Sequence, residues 1–131
     1  MRLKSGESMS DQPLISVTVC MRNAAHWIDD CMESLIQQTY RPLEIIAVDD
    51  GSTDGGDSKL DSWKGSHNGI PIIVLHQTAK GLSAGRNLAV ENSNGEWIAI
   101  TDIDCRPDPY WISQLFEVST GLDGELVAAV T

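Results

Sequence analysis

Short apolar runs alternate with amphipathic segments along most of the chain. Runs rich in Val, Ile and Leu predict buried strands, whereas apolar residues that recur every three or four positions predict helices. The predicted strands cover residues 14–21, 43–50, 70–77, 96–104 and 125–131. The predicted helices cover residues 25–38, 57–65, 81–95 and 108–119. The first helix places on one face Trp27, Ile28, Cys31, Met32, Leu35 and Ile36.

The predicted strands are apolar throughout, without the alternation that marks a sheet with one face in water. This pattern indicates a mostly parallel sheet covered by helices on both faces, which is a three-layer α/β/α fold. In open sheets of this kind, ligands bind beyond the carboxyl ends of the strands. Polar residues stand at three of these ends: Arg22 and Asn23, Asp49 and Asp50, Asp102 and Asp104. The sequence therefore predicts a binding site at this edge of the sheet.

Two aspartates in the segment ITDIDCRPD, Asp102 and Asp104, stand two positions apart at the end of the fourth predicted strand. Side chains two apart on a strand point to the same face, and neighbouring carboxylates resist joint ionisation unless a cation offsets their charge. Mg2+ and Mn2+ prefer such oxygen ligands. The alternative is a solvated turn in which Asp104 caps the segment that follows.

Two further segments carry candidate binding residues. In AVDDGSTDGG, a carboxylate at the strand end can accept a hydrogen bond from a base or a sugar, although these residues also suit a plain turn. In KGLSAGRN, Arg86 can bind a diphosphate because a guanidinium matches phosphate geometry, and the alternative is a surface arginine. The glycines form neither GxGxxG nor GxxxxGKS/T, so a dinucleotide fold or a P-loop is not supported.

The composition limits the choice of partners and compartment. The chain has 131 residues, enough for one domain, with 19 acidic and 9 basic residues and a formal net charge of -10. So acidic a chain is a poor direct partner for nucleic acid or an anionic membrane surface. Its three cysteines show no CxxC spacing, which favours a reducing compartment. We therefore expect a cytoplasmic protein, with membrane association left to sequence further downstream.

The polar first dozen residues, 1–12, indicate a disordered lead-in, which leaves residues 13–131 as the folded part. The lead-in lacks the apolar stretch of a signal peptide. No apolar run in the sequence approaches the roughly 20 residues of a membrane helix.

Several stretches, taken in order, resemble family 2 glycosyltransferases with the GT-A fold. The resemblance rests on ISVTVCMRN, SLIQQTYRPLEIIAVDDGSTD, KGLSAGRNLA, GEWIAITDIDCRPDPYW and LVAAVT, and it covers about residues 15–131. It implies the nucleotide-sugar-binding half of a metal-assisted enzyme that transfers a sugar to an acceptor hydroxyl with inversion. The implied donor is a UDP-sugar, the acceptor is a saccharide or a lipid-linked molecule, and the cofactor is Mn2+ or Mg2+.

The resemblance also implies a role for each matching position. Asp50 would bind the base, and Arg86 would lie near the diphosphate. Asp102 would hold the ribose side of the nucleotide, and Asp104 would bind the metal together with Asp102. The full set implied to bind the nucleotide sugar is Cys20, Arg22, Asn23, Asp50, Arg86 and Asp102.

The sequence departs from the family pattern in two places. The family often has Pro-x-Tyr-Asn after the first strand, but this chain has CMRN in the segment that would line the base pocket. Arg22 therefore stands where an aromatic residue often packs. The family is also longer, and its acceptor site and catalytic carboxylate lie beyond the fifth strand. We therefore expect the general base beyond Thr131 and interpret the chain as C-terminally truncated.

Three other functions fit parts of the sequence. A non-catalytic nucleotide-binding module, or an inactive fragment, would use the same pocket without sugar transfer. A haloacid dehalogenase phosphatase also has Asp-x-Asp, but after its first strand and with Thr or Val where this chain has Arg106. A receiver domain gathers acids at strand ends but needs a late lysine, and no lysine follows Asp104.

Overall fold

The computed structural model describes residues 12–120; the predicted strand at 125–131 and residues 1–11 of the predicted lead-in lie outside the described residues. The strands are β1 (Ile15–Met21), β2 (Leu43–Asp50), β3 (Gly65–His67), β4 (Ile70–Gln77) and β5 (Trp97–Asp102). The helices are α1 (Ala25–Ile36), α2 (Gly56–Asp61), α3 (Leu82–Glu91) and α4 (Trp111–Thr120). Within residues 12–120, no helix combines the length and the apolar character needed to cross a membrane.

The five strands form one sheet in the order β3-β4-β2-β1-β5. β1 pairs in parallel with β2 and with β5, and β2 pairs in parallel with β4, whereas the short β3 runs antiparallel to β4. β1 lies inside the sheet because its residues ISVTVCM are apolar or small, and all of them except Cys20 are buried. This arrangement confirms the mostly parallel sheet that the sequence predicts.

Helices cover both faces of the sheet because alternate residues of β2 point to opposite sides. Ile45 and Ala47 belong to the larger core cluster, together with buried residues of α1, α2 and α4. Ile46 and Val48 instead pack with Ala89 of α3. The chain therefore forms a three-layer α/β/α structure, which confirms the predicted fold class.

A buried carboxylate fastens the sheet at the edge where the parallel strands begin. Glu44 is 4% exposed and accepts hydrogen bonds from Ser16 Oγ at 2.6 Å and from the Asn94 N–H at 2.7 Å. The Ser16 hydroxyl oxygen also accepts a hydrogen bond from the Gly95 N–H at 2.8 Å. The turn before β5 is therefore tied to both β1 and β2.

The structure differs from the sequence-based boundaries at several helix ends, since α3 ends at Glu91 and α4 begins at Trp111, and also in β3, α2 and β5. The sequence pattern does not predict β3, because Gly65–His67 carries little apolar character and gains its order by pairing with β4. Helix α2 ends at Asp61 and does not continue to residue 65. Strand β5 ends at Asp102, so Asp104 lies in the turn that follows and not on a strand.

Candidate functional site

A cavity of about 730 Å³ opens at the edge of the sheet where β1, β2 and β5 end. The site residues predicted from the sequence all line it, namely Cys20, Arg22, Asn23, Asp50, Arg86, Asp102 and Asp104. The remaining lining residues are Met21, Ala24, Trp27, Gly81, Leu82 and Ile103. The fold therefore brings together, from three strand ends and helix α3, side chains that are far apart in the sequence.

Asp50 stands at the carboxyl end of β2 and is surrounded by hydrogen-bond donors. Its Oδ1 accepts bonds from Gln77 Nε2 and the Lys80 N–H, both at 2.8 Å, and its Oδ2 accepts one from the Gly81 N–H at 3.1 Å. These bonds, led by the one from the Lys80 N–H, hold the pKa of Asp50 below its usual range. Each carboxylate oxygen has two acceptor positions, and the Gly81 N–H occupies one of those on Oδ2.

Asp102 is the first residue and Asp104 the third residue of a tight turn at the end of β5. The Cys105 N–H donates to the Asp102 carbonyl oxygen at 3.0 Å, which folds the chain back. Ligand atoms of Asp102, Asp104 and Cys105 lie within 4.8 Å of one another. The turn therefore brings the two carboxylates together. The prediction that they would meet was right, but its reason was wrong, since Asp104 does not lie on the same strand as Asp102.

The two carboxylates suit a hard divalent cation. Asp102 is half-buried and Asp104 is exposed, so both can offer oxygen ligands while water or phosphate completes the coordination that Mg2+ or Mn2+ needs. Arg86 Nη2 lies 3.4 Å from Asp102 Oδ1 and offsets part of the negative charge. Arg106 Nη2 donates to Asp30 Oδ2 at 2.7 Å, which fastens the turn to α1.

Asn23 joins the loops that follow β1 and β2. Its backbone N–H donates to Ser52 Oγ at 2.9 Å, and its side-chain Oδ1 accepts a bond from the Thr53 N–H at 2.8 Å. Its φ of 51° lies in the left-handed region, which asparagine adopts more readily than most residues. The side-chain oxygen of Asn23 thus holds the shape of the cavity, and a direct contact between Asn23 and nucleotide stays a prediction.

The turn after β2 packs closely against its surroundings. A Cβ at Gly51, whose φ is 74°, would lie 2.8 Å from the backbone nitrogen of Ala79, so glycine is required there. Asp54 accepts hydrogen bonds from the N–H groups of Ala25 at 3.1 Å and Gly56 at 2.9 Å, and these bonds lower its pKa. The residues DDGSTD therefore connect β2, α1 and α2 around the rim of the cavity.

Cys20 forms part of the cavity lining as a neutral thiol. Burial raises the pKa of Cys20 to about 11, and the negative charge of Asp50 raises it by more than the positive charge of Arg86 lowers it. A thiol of this kind is a poor nucleophile at neutral pH. Cys20 also packs against Gly85 of α3, where a Cβ would collide with its Sγ. Its contribution is therefore packing and shape.

Trp27 and Leu82 line the cavity although the sequence pattern does not single them out for it. Helical spacing predicts that Trp27 is buried, but it is 37% exposed on the cavity wall. Leu82 is 45% exposed at the start of α3. Their closeness in sequence to predicted site residues could have indicated this. Trp27 lies four residues after Asn23, and Leu82 lies four residues before Arg86.

Most of the chain is similar in sequence to known glycosyltransferases. Residues 16–128 match the family model for glycosyl transferase family 2. Glycosyltransferase GlyG of Streptococcus pneumoniae is 36% identical over 115 residues, which cover 87% of this chain and 38% of GlyG. Glycosyltransferase AglE of Haloferax volcanii is 29% identical over 120 residues, which cover 90% of this chain and 39% of AglE. The chain thus spans less than half the length of these relatives.

Two solved structures share the fold. The mannosyltransferase PcManGT from Pyrobaculum calidifontis, in complex with GDP-Man and Mn2+, matches with a TM-score of 0.65 and 29% identity, over 72% of this chain and 28% of its own. S. aureus TarS 1-349, in complex with UDP, matches with a TM-score of 0.70 and 23% identity, over 82% of this chain and 32% of its own. The likeness confirms the predicted GT-A fold class.

Proposed function

Because the chain belongs to glycosyl transferase family 2, we propose that its cavity binds the nucleoside diphosphate of a sugar donor together with a divalent metal ion. The observation that carries this proposal is that Asp50, Arg86 and the turn bearing Asp102 and Asp104 meet in one cavity of about 730 Å³. Cavities that hold small molecules commonly measure about 300–1,000 Å³. In this proposal the chain is the donor-binding part of a glycosyltransferase.

Asp50 suits the base end of the donor. Its remaining acceptor position on Oδ2 can take a hydrogen bond from a base N–H, such as that of uracil. Because three donors keep the carboxylate ionised, such a bond is charge-assisted and strong. Cys20 and Arg22 line the cavity near this end, with Asn23 holding the loop behind them. A UDP-sugar is the donor that we expect.

Arg86 and the acidic turn suit the diphosphate end. The Arg86 guanidinium can bind two phosphate oxygens at once, while Asp102 is assigned to the ribose side and Asp104, with Asp102, to the metal. Arg86 Nη2 and Asp102 Oδ1 lie 3.4 Å apart, which supports the assignment of the diphosphate and the metal to neighbouring residues. When bound, Mn2+ or Mg2+ supplies positive charge that stabilises a diphosphate leaving group. PcManGT in complex with GDP-Man and Mn2+ supports this class of metal.

The reaction that fits this donor site is transfer of the sugar to an acceptor hydroxyl, with inversion. The acceptor oxygen forms a bond to the anomeric carbon, the bond from that carbon to the diphosphate oxygen breaks, and a general base takes the hydroxyl proton. The acceptor that we expect is a saccharide or a lipid-linked molecule. We assign its binding site and the general base to none of residues 12–120, so the chain alone is expected to transfer sugar poorly.

Calorimetry with UDP tests the proposal. We expect UDP to bind more tightly with Mn2+ or Mg2+ than with a chelator, and Asp104→Asn to remove most of that difference, because it deletes a negative charge and keeps the side-chain shape. Asp108→Asn is the matched control, since Asp108 accepts a bond from the Tyr110 N–H outside the cavity and asparagine keeps that cap. Equal UDP affinity with and without metal in the unchanged chain would contradict the metal site.

A non-catalytic nucleotide-binding module would share all of these binding results. Release of free sugar from UDP-GlcNAc or GDP-Man in the presence of Mn2+ separates the two functions. We expect slow release that Asp104→Asn abolishes. Binding of UDP-GlcNAc or GDP-Man without release of sugar would favour the non-catalytic module.

A further inference from the structure

His76 on β4 lies between two carboxylates, outside the residues that line the cavity. Its Nδ1 is 3.0 Å from Asp49 Oδ2 of β2, and its Nε2 is 2.7 Å from Asp61 Oδ1 of α2. A neutral imidazole has one N–H donor, whereas the charged imidazolium has two, so the charged ring satisfies both contacts. Asp49 is 2% exposed, and a carboxylate so deeply buried needs a partner of this kind.

A chain of hydrogen bonds leads from Asp49 to the cavity. Asp49 Oδ1 accepts a bond from the Ser52 N–H at 3.0 Å, and Ser52 Oγ accepts one from the Asn23 N–H at 2.9 Å. Asn23 Oδ1 accepts a bond from the Thr53 N–H at 2.8 Å, and Asn23 lines the cavity. Asp50 is the chain neighbour of Asp49, so the Asp49 carboxylate fixes the point at which β2 ends and the turn begins.

We propose that His76 is a positioning residue for the cavity: its two ion pairs hold Asp49, and through Asp49 the turn at residues 50–53, in the shape that binds nucleotide. His76 acts through these groups and touches no ligand itself. The inference rests on the proposed function and deepens it, because nucleotide is the ligand whose binding the contact affects.

Protonation of His76 couples this contact to pH. The hydrogen bond with Asp49, followed by that with Asp61, raises the pKa of His76 above its ordinary value of 6.5. The charged ring is therefore fully present below about pH 6.5 and is lost as the pH rises through the higher folded-state pKa. Both the stability of the folded chain and its affinity for nucleotide are expected to fall over that window.

The groups around the imidazole support this direction. The two carboxylates come from elements packed against β4, Asp49 from β2 and Asp61 from α2. Helix α2 also carries Asp57, which is negatively charged like Asp49 and Asp61, and Lys59, whose Nζ lies 3.4 Å from Asp29 Oδ2. Strand β3 pairs with β4 near the opposite end of that strand.

An NMR titration of the free chain is the direct test. The amide signals of Ser52 and Asn23 are expected to shift together with the His76 imidazole, at a midpoint above 6.5. Asp61→Asn removes a partner that is 53% exposed, so it should lower this midpoint and leave the chain folded. His67→Gln, on β3, is the matched control and should leave the midpoint unchanged. Amide signals that do not follow the imidazole would overturn the proposal.

Binding of UDP-GlcNAc between about pH 5.5 and about pH 8.5 is the functional readout. The diphosphate of UDP-GlcNAc keeps its charge over this window, whereas a terminal phosphate has a pKa of about 6. We expect the affinity to fall by about fivefold with rising pH, the upper range for a partly exposed ion pair. His76→Arg, which cannot lose its charge, should remove the pH dependence, and His76→Gln should bind weakly throughout. An unchanged pH dependence in His76→Arg would overturn the positioning role.

The two measurements separate this inference from the proposed function. Amide signals that titrate with His76, without UDP-GlcNAc binding at any pH, would support the link between His76 and the cavity and contradict the proposed function. UDP-GlcNAc binding whose affinity is independent of pH in the unchanged chain would support the proposed function and overturn the role of His76.

Discussion

Arg86 Nη2 lies 3.4 Å from Asp102 Oδ1 in the free chain. The guanidinium proposed to bind the diphosphate is therefore paired with a carboxylate proposed to bind the metal. Both side chains are 45% exposed, and ion pairs at such positions contribute only about 0–1 kcal/mol to stability. In the proposed donor complex this pair would therefore separate at little cost, which would leave Arg86 free to bind phosphate and Asp102 free to bind the nucleotide and metal.

Arg86→Ala is expected to weaken the binding of UDP by about tenfold or more, because a charge-assisted contact to the diphosphate is lost. Uridine, which has no phosphate, should bind the variant and the unchanged chain alike. Calorimetry with the two ligands measures this difference, and thermal unfolding checks that stability changes little. A loss of uridine binding as large as the loss of UDP binding would place Arg86 outside the phosphate site.

The order of strands and helices could be predicted because each long strand carries a continuous apolar run, such as ISVTVCM in β1. The location of the cavity followed from topology, since parallel strands bring Asp50 and Asp102 to one edge of the sheet however far apart they stand in the sequence. The pattern of apolar residues and the geometry of parallel sheets were therefore sufficient to predict the order of the elements and the location of the cavity.

The features that could not be predicted depend on contacts between distant residues. Strand β3 is ordered by its pairing with β4, and its own three residues carry little apolar pattern. Asp49 faces His76, which is 27 positions away, whereas Asp50 faces the cavity. Nothing in the dipeptide itself distinguishes the two carboxylates, and the prediction that Asp50 lines the cavity came from the family resemblance. Asp104 reaches Asp102 through a turn whose shape depends on backbone hydrogen bonding that a strand pattern does not reveal.

Asp50→Asn is expected to weaken the binding of uridine more than Asp49→Asn does. Asp50 accepts bonds on both of its oxygens, so the NH2 group of an asparagine would face the N–H of Lys80 or Gly81. The substitution also removes the negative charge that would strengthen a hydrogen bond from the base N–H. Asp49, which is held by His76, is expected to affect the base only through the turn. Calorimetry with uridine compares the two variants, and a larger effect of Asp49→Asn would mean that the two carboxylates have been assigned the wrong way round.

Gly85→Ala is expected to lower the free energy of unfolding by about 1–3 kcal/mol, the usual cost of extra volume at a packed site. A Cβ at Gly85 would collide with Cys20 Sγ where α3 packs on the end of β1. Because Arg86 is the next residue, the displacement should also weaken UDP binding. Urea unfolding measures the change in stability, and calorimetry measures the change in affinity.

Cys20→Ala tests the cause of that effect. Removing the sulfur makes room for the new methyl group, so the double variant Cys20→Ala/Gly85→Ala should be more stable than the sum of the two single changes predicts. Strict additivity of the two free-energy changes would show that the loss in Gly85→Ala comes from some other contact than the one with Cys20.

Glu44→Gln is expected to lower the free energy of unfolding by about 1–3 kcal/mol and to leave nucleotide binding unchanged. Glu44 accepts bonds from Ser16 Oγ and from both the backbone N–H and the side-chain Nδ2 of Asn94. Glutamine has one acceptor oxygen and an NH2 group, so at least one of these donors would face another donor. Glu91→Gln, an exposed residue at the end of α3, controls for the lost charge.

Urea unfolding of the two variants gives the stabilities, and calorimetry with UDP and Mn2+ gives the affinities. Glu44 lies where β2 begins, at the opposite edge of the sheet from Asp50, where β2 ends. Its loss should therefore loosen the tie between the strands and leave the cavity residues in place. If Glu44→Gln weakened UDP binding as much as it weakened folding, the two edges of the sheet would have to be coupled. A binding site held by the strand ends and their loops alone could not explain that result.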